Sequence, residues 1–371
     1  MPYTKHLKLE QIAQRVKPED LKRFVFKGLA SDVIAALAEA NTWLDVLHRL
    51  DGSRRELVEA ELYRINDIAD ENGMRMLVDR LSGARIEFDG EATPQQIALW
   101  CRMEHPTMFE RVYDQFWIEQ AQSLVEYKAS EAIEADLSGD TINRLEAAIR
   151  EEASREAEGR NCAIRSYTEA DRVILVVHHR GYNQVIEEVD DTNQVVSRIV
   201  RPADISAVIY AQSTGRLKLH ARKQYVQERL RRLVGEVLFG DKDLFNSPES
   251  QAIYSLESLK DPAFTFRVEA GDPIDEVRLT ELSLRLPTET YPKVTVYSRD
   301  GIAPALRHLQ LNLVTADLIA ANIQFRFQTR DRRGRSLKVQ VRPPNRCAYD
   351  HGSPNAHYAE KCLRKWQIAR I

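Results

Sequence analysis

The residues best suited to chemistry gather near the end of the chain. Cys347, His351, His357 and Cys362 follow one another as C-x3-H-x5-H-x4-C. Zinc takes thiolate and imidazole ligands in a tetrahedron, and a loop leading into a helix can converge such side chains. Standard zinc modules pair cysteine with cysteine and histidine with histidine across a longer spacer. The preferred reading is therefore a pair of loop histidines plus a core-facing Cys362 beside Leu363. The set is kept as a metal candidate, and no cofactor is expected.

Glu126-Tyr127-Lys128, with Asp114 upstream, has the acidic-x-Lys arrangement of a metal-dependent nuclease core. There, carboxylates hold Mg²⁺ and the lysine orients the attacking water. That core is built on strands, whereas the pattern from Thr107 to about Asp136 predicts helix, so a solvated helix face is the preferred reading. His178 and His179 end a predicted strand and point to opposite faces, which keeps them from sharing a ligand. His105, before Pro106, reads as a turn residue. The chain has no G-x-x-x-x-G-K-[ST], no G-x-G-x-x-G after a strand, no G-x-S-x-G, no H-E-x-x-H and no kinase signature set. These absences weigh against an enzyme and leave open only a site assembled in space.

Cations are the more informative signal. Arg216, Lys218, Arg222, Lys223, Arg229, Arg231 and Arg232 stand against a single Glu228 in one stretch. A second set comprises Arg326, Arg330, Arg332, Arg333, Arg335, Lys338, Arg342, Arg346, Lys361, Arg364, Lys365 and Arg370. Arginine outnumbers lysine, which suits the forked recognition of phosphate and stacking on planar groups. Phe325, Phe327 and Tyr349 interleave with these cations and are expected to offer stacking surfaces for bases. The competing reading is that the cations are ordinary solvated faces, or pair with acidic residues of this or another chain.

Several kinds of element must position these groups. Pro18 followed by Glu19 and Asp20, Ser53 with Glu56, Thr93-Pro94-Gln95-Gln96 and Thr107 with Glu110 are helix starts. The helix from Ser53 is expected to run to Gly73, and another from Thr141 to about Glu158. One short extended piece, Ala84 to Phe88, is expected to interrupt the helices. Strands are expected at 172–179, 195–200, 203–210 and 217–221, with a hairpin turn at Ser213-Thr214-Gly215. A basic helix from Lys223 to Phe239 stops at Gly240. Strands resume with the alternating Phe264, Phe266 and Val268. The phase then shifts between Leu279 and Leu282, which predicts a bulge near Thr280-Glu281. Runs at 294–297, 318–327 and 336–341 follow, and a helix from about Asn355 to Ala369 closes the order. The hairpins 203–219 and 316–339 share an Ala-Asp start and a Gly-Arg corner, which fits either two copies of one unit or, since such corners are common and the second hairpin is longer, a chance likeness.

The expected fold class is α+β. Residues 1–164 would form an acidic helical domain and residues 165–371 a basic strand-rich one, either whole or as two related units at 165–250 and 262–371. Residues 1–160 hold 21 Lys/Arg and 31 Asp/Glu, whereas residues 161–371 hold 32 and 25. A split of this size suggests different partners for the two halves. The four cysteines include no C-x-x-C pair and the first ten residues lack an apolar core, which points to free thiols and a cytoplasmic protein. No apolar run approaches the about 20 residues that span a bilayer.

The leading expectation is a non-catalytic nucleic-acid-binding or assembly component of a bacterial-type multiprotein system, such as antiviral defence. Its basic half would engage DNA or RNA phosphates and its acidic half a protein partner. The alternatives are a structural subunit that binds protein or self-associates, and a metal-dependent nuclease or hydrolase with an unrecognised site.

Overall fold

The computed structural model describes residues 12, 14–27, 42–120, 124–155, 161–181, 184–189, 193–200, 203–288, 290–328, 335–349 and 353–370. They form an α+β fold in two compact units, 1–118 and 119–371. The described helices of the first unit are α1 (Pro18–Phe26), α2 (Trp43–Arg49), α3 (Gly52–Ile68), α4 (Glu71–Gly83), α5 (Pro94–Glu104) and α6 (Pro106–Gln120). Their apolar stripes meet in one core that includes Leu21, Leu47, Leu62, Ile65, Leu77, Leu99 and Phe109. Thr93 caps α5 by accepting from the Gln96 amide, with Pro94 in the first turn, as its sequence predicts. The helix expected from Ser53 to Gly73 divides in two. Asp51 is its N-cap, Ser53 lies inside the first turn and donates to Asp51, and a new helix starts after Asp70. Residues 84–88 form no strand.

The second unit is organised by one ten-stranded sheet in the order β2-β3-β6-β7-β1-β12-β11-β10-β8-β9. In chain order the elements are β1 (Leu124–Lys128), α7 (Gly139–Arg155), β2 (Cys162–Glu169), β3 (Arg172–Arg180), β4 (Gln184–Val189), β5 (Val195–Val200), β6 (Ala203–Ala211), β7 (Arg216–His220), α8 (Gln224–Phe239), α9 (Pro248–Gln251), β8 (Ile274–Arg285), β9 (Lys293–Tyr297), α10 (Ala303–His308), β10 (Asp317–Phe327), β11 (Ser336–Arg342), β12 (Arg346–Ala348) and α11 (Ala356–Lys365). Strands β4 and β5 pair only with each other. All the pairings are antiparallel.

Strand β1 interrupts the helix expected from Thr107 to about Asp136. It lies mid-sheet between β7 and β12, with Leu124, Val125, Glu126 and Tyr127 all buried. A strand buried on both faces has no alternation to advertise it. For the same reason the unit boundary falls at residue 118 and not near 165: β1 and α7 belong to the sheet unit, and α7 packs on α8. The regions 165–250 and 262–371 meet through β1, which pairs with β7 on one side and β12 on the other.

The sheet has two faces, and its halves are covered on opposite ones. Val125 and Tyr127 of β1 share the front with Leu217 and Leu219, and there they pack with Leu145 and Ile149 of α7 and Val226, Leu230 and Leu233 of α8. Leu124 and Cys347 share the back with Val341, Val339 and Ile323, which pack with Ala359, Cys362 and Leu363 of α11. The bulge expected near Thr280 is present, since Asn322 opposes Glu281 while Ile323 opposes Leu279. Phe264 and Phe266 form no strand. Their rings meet edge to face at 5.0 Å, and Phe266 packs on Trp366. The two similar hairpins are both present, as β6–β7 and β10–β11. The helices after them, α8 and α11, lie on opposite faces, and β12 intervenes in the second.

Candidate nucleic-acid interface

Register decides which cations share a surface. In β11, Leu337, Val339 and Val341 point into the back core, so Ser336, Lys338, Gln340 and Arg342 stand on the front. Arg342 is directly opposite Arg346 of β12, Lys338 opposite Gln324 of β10, and Ser336 opposite Arg326. Arg326, Lys338, Arg342 and Arg346 therefore lie on one face. Lys338 and Arg342 are four residues apart along the strand, roughly 13 Å. The first three are exposed and make no ion pair or side-chain hydrogen bond among the described residues, while Arg346 donates to Gln227 of α8 at 3.5 Å.

The front cations continue onto α8. Arg231 lies over the Tyr127 ring at 5.2 Å and donates to Asn246. Burial pushes the Tyr127 hydroxyl above its ordinary value, and the Arg231 and Arg346 guanidiniums pull it back, which places both charges beside that ring. Tyr297 of β9 stands opposite Glu281, on the same front face, and is 66% exposed. The residue was legible in the alternation Val294-Thr295-Val296-Tyr297, which turns the tyrosine outward once the valines face the core.

The remaining sequence candidates go elsewhere. Arg216 and Lys218 of β7 face the back, where Glu126 is fully buried. Arg216 Nε donates to Glu126 Oε2 at 2.7 Å, and Tyr254 donates to Glu126 Oε1 at 2.9 Å. Lys218 lies 3.7 Å from both Glu126 and Glu360, and Tyr349 donates to Glu360. Burial alone would draw the Arg216 guanidinium down, but the surrounding negative groups, Glu126 first, hold it above its usual value. Burial also drives the Tyr254 and Tyr349 hydroxyls well up, so both stay protonated donors. Arg232 pairs with Glu152, Arg364 with Glu360, Lys365 with Glu269, and Lys361 with Glu269 and Asp272. Arg229 is buried near the Tyr225 ring and Lys223 reaches that ring's hydroxyl. Arg222, Arg335 and Arg370 are exposed, and Arg330, Arg332 and Arg333 lie outside the described residues.

Two expectations are corrected here. Phe325, Phe327 and Tyr349 are core residues, not stacking surfaces: both phenylalanines project from β10 to the covered back face. Glu126-Tyr127-Lys128 does lie on a strand, as a nuclease core would. Its carboxylate, however, is enclosed and neutralised by Arg216, and Asp114 lies on α6 in the first unit. Cys347 and Cys362 are buried in the back core and His357 stacks on Tyr358, while His351 is outside the described residues. Among the described residues no group of three His, Cys, Asp or Glu is arranged to hold a metal. His178 and His179 do part, to Arg165 and to Ser206.

No helix among the described residues is long and apolar enough to cross a membrane. No protein-family model matches the chain, and no curated protein matches it.

Proposed function

We propose that the front of β8–β12 binds single-stranded nucleic acid, with Arg326, Lys338, Arg342 and Arg346 engaging its phosphates and Tyr297 as a stacking surface for a base. The observation that carries this reading is the direct opposition of Arg342 and Arg346. Like charges facing each other across a strand pair destabilise a sheet, and an anion lying between them removes that cost. A sheet face with cations and an outward aromatic suits strands whose bases are splayed out. Paired strands bury the base faces that Tyr297 would stack on.

Fluorescence anisotropy of the full chain with labelled single-stranded and duplex oligonucleotides tests the reading. Four phosphate contacts give a slope of log K against log salt of roughly −3 for a single strand. Replacing Lys338 and Arg342 by glutamine should reduce the slope by roughly 1.4 and weaken binding to all sequences alike. Binding that ignores salt, or that survives the double replacement unchanged, would remove the proposal.

A second reading, a protein-binding subunit, is favoured by the β4–β5 hairpin. Val185 and Ile199 oppose each other, as do Val189 and Val195, and each is more than 60% exposed. A lone two-stranded ribbon is marginally stable in water, and a partner covering this apolar face would stabilise it. Sizing in low and high salt separates the readings, since apolar association persists when charge is screened.

A further inference from the structure

A cleft of about 420 Å³ on the sheet unit is lined by Ser255, Ser258, Arg364, Gln367 and Arg370, with Glu257 at its edge. Two backbone segments fix its walls. Tyr254 bridges to Ala369, the Ser255 amide donates to Ile368 at 2.9 Å, and the Arg370 amide donates to Ile253 at 2.8 Å. Gln367 follows α11 with a φ of +56°, which turns the chain sharply back towards Ser255. The donors are therefore held by main-chain pairing between two stretches more than a hundred residues apart.

Among the described residues the charge in this cleft is not balanced. Glu257 is engaged by Lys260 at 2.8 Å. Arg364 has Glu360 at 3.6 Å, but that carboxylate also serves Lys218 and Tyr349. Arg370 has no side-chain partner among the described residues. The Ser258 hydroxyl is buried with no hydrogen-bond partner, which is uncommon enough in folded proteins to call for an absent one. The Ser255 hydroxyl accepts from the Glu257 amide at 3.3 Å, which leaves its hydrogen to donate.

We infer that this cleft is a binding site for a phosphomonoester, held by the Arg364 and Arg370 guanidiniums and the Ser255 and Ser258 hydroxyls. Two guanidiniums present more fixed donors than a carboxylate has lone pairs to fill, and a dianion matches their charge. The phosphate can belong to a small free molecule or to the end of a nucleic-acid strand. None of these residues is among the front cations, so this site stands or falls separately from the function proposed above.

The test uses the full chain and inorganic phosphate, with sodium chloride of equal ionic strength as control, read by thermal shift and by calorimetric titration. Phosphate should stabilise the wild type, and Arg370→Gln and Ser258→Ala should each weaken its binding by about tenfold or more. Both changes are to side chains that make no hydrogen bond or ion pair among the described residues, so the folded variants remain comparable. A second arm compares 5′-phosphorylated with 5′-hydroxyl oligonucleotides: discrimination by the wild type that Arg370→Gln abolishes assigns the phosphate to a strand end. Stabilisation by phosphate without such discrimination assigns it to a small molecule. Equal responses to phosphate and chloride in the wild type, or equal phosphate affinity in all three proteins, overturn the inference. Binding of the 5′-hydroxyl oligonucleotide should be the same in wild type and variants, which keeps the front face as an internal control.

Discussion

The two faces of the ten-stranded sheet handle cations in opposite ways. On the back, Arg216 and Lys218 surround Glu126, which is fully buried, and two tyrosine hydroxyls complete the network with Glu360. On the front, Arg342 and Arg346 face each other across a strand pair, with Lys338 and Arg326 nearby and no carboxylate engaging Lys338, Arg326 or Arg342 among the described residues. Arg216 and Arg342 are the same kind of residue on the same sheet. What separates them is parity: one lies on a face that α11 and the Tyr254 segment cover, the other on a face where the helices α7 and α8 cover only the opposite half. A buried cation must be paired to be tolerated, whereas an exposed one needs no partner until a ligand supplies it.

The largest expected effect breaks the back face. Arg216→Met leaves Glu126 without its guanidinium in a site that water does not reach. Removing one partner of such a pair costs about 3–5 kcal/mol, read as a shift of the urea midpoint. The double variant with Glu126→Gln should regain much of that loss, because no bare charge remains. A loss in Arg216→Met within the scatter of surface substitutions would mean the network is not a buried unit.

The front face should behave in the reverse manner. Arg326→Gln, Lys338→Gln and Arg342→Gln touch no described partner, so each should change stability by no more than about 0.5 kcal/mol. Arg342→Gln should be neutral or slightly stabilising, since it removes a like charge opposite Arg346. Denaturation curves of these variants beside their nucleic-acid affinities sharpen the contrast. Large stability losses here would make the front cations structural and remove the ground for the proposed interface.

Helix starts with a side-chain cap were readable because the cap is a local device: Thr93 and Pro94 announce α5 from neighbouring residues alone. The bulge at Thr280 was readable because it shifts the apolar phase within one strand. Strand β1 was not, because a central strand is buried on both sides and its identity is set by β7 and β12, whose pairing no local pattern reveals. The candidate site had the same limit. The sequence supplied the list of arginines, but whether each meets solvent or a carboxylate depends on strand parity and on which face a helix happens to cover. Phe325 and Phe327 show the cost: their interleaving with arginine suggested stacking, but the alternation that exposes Arg326 is what buries them.

The cysteines give a local probe of the same contrast. Burial pushes Cys101 up to about 12 and Cys162 and Cys362 up to about 11, with Glu146 adding to Cys162 and Asp272 to Cys362. Cys347 is raised further by burial and by the nearby Glu126. The fold thus favours the neutral thiols. Their contribution to stability is complete below the ordinary thiol value near 9 and is lost as pH climbs from there through 11 to 12. At pH 8 the native protein should react with a disulfide reagent only as fast as it opens, because little thiolate exists and none is exposed. Cys347 sits on the back beside the Glu126 network, whereas its neighbour Arg346 in β12 points to the front, so its labelling reads that network alone. Arg216→Met should speed Cys347 labelling roughly a hundredfold or more, the factor that a loss of about 3 kcal/mol sets on opening, whereas Lys338→Gln and Arg342→Gln should leave it unchanged, as followed by mass spectrometry of the labelled peptide. Equal acceleration by the front and back variants would show that the two faces are coupled and that their cations do not play separate roles.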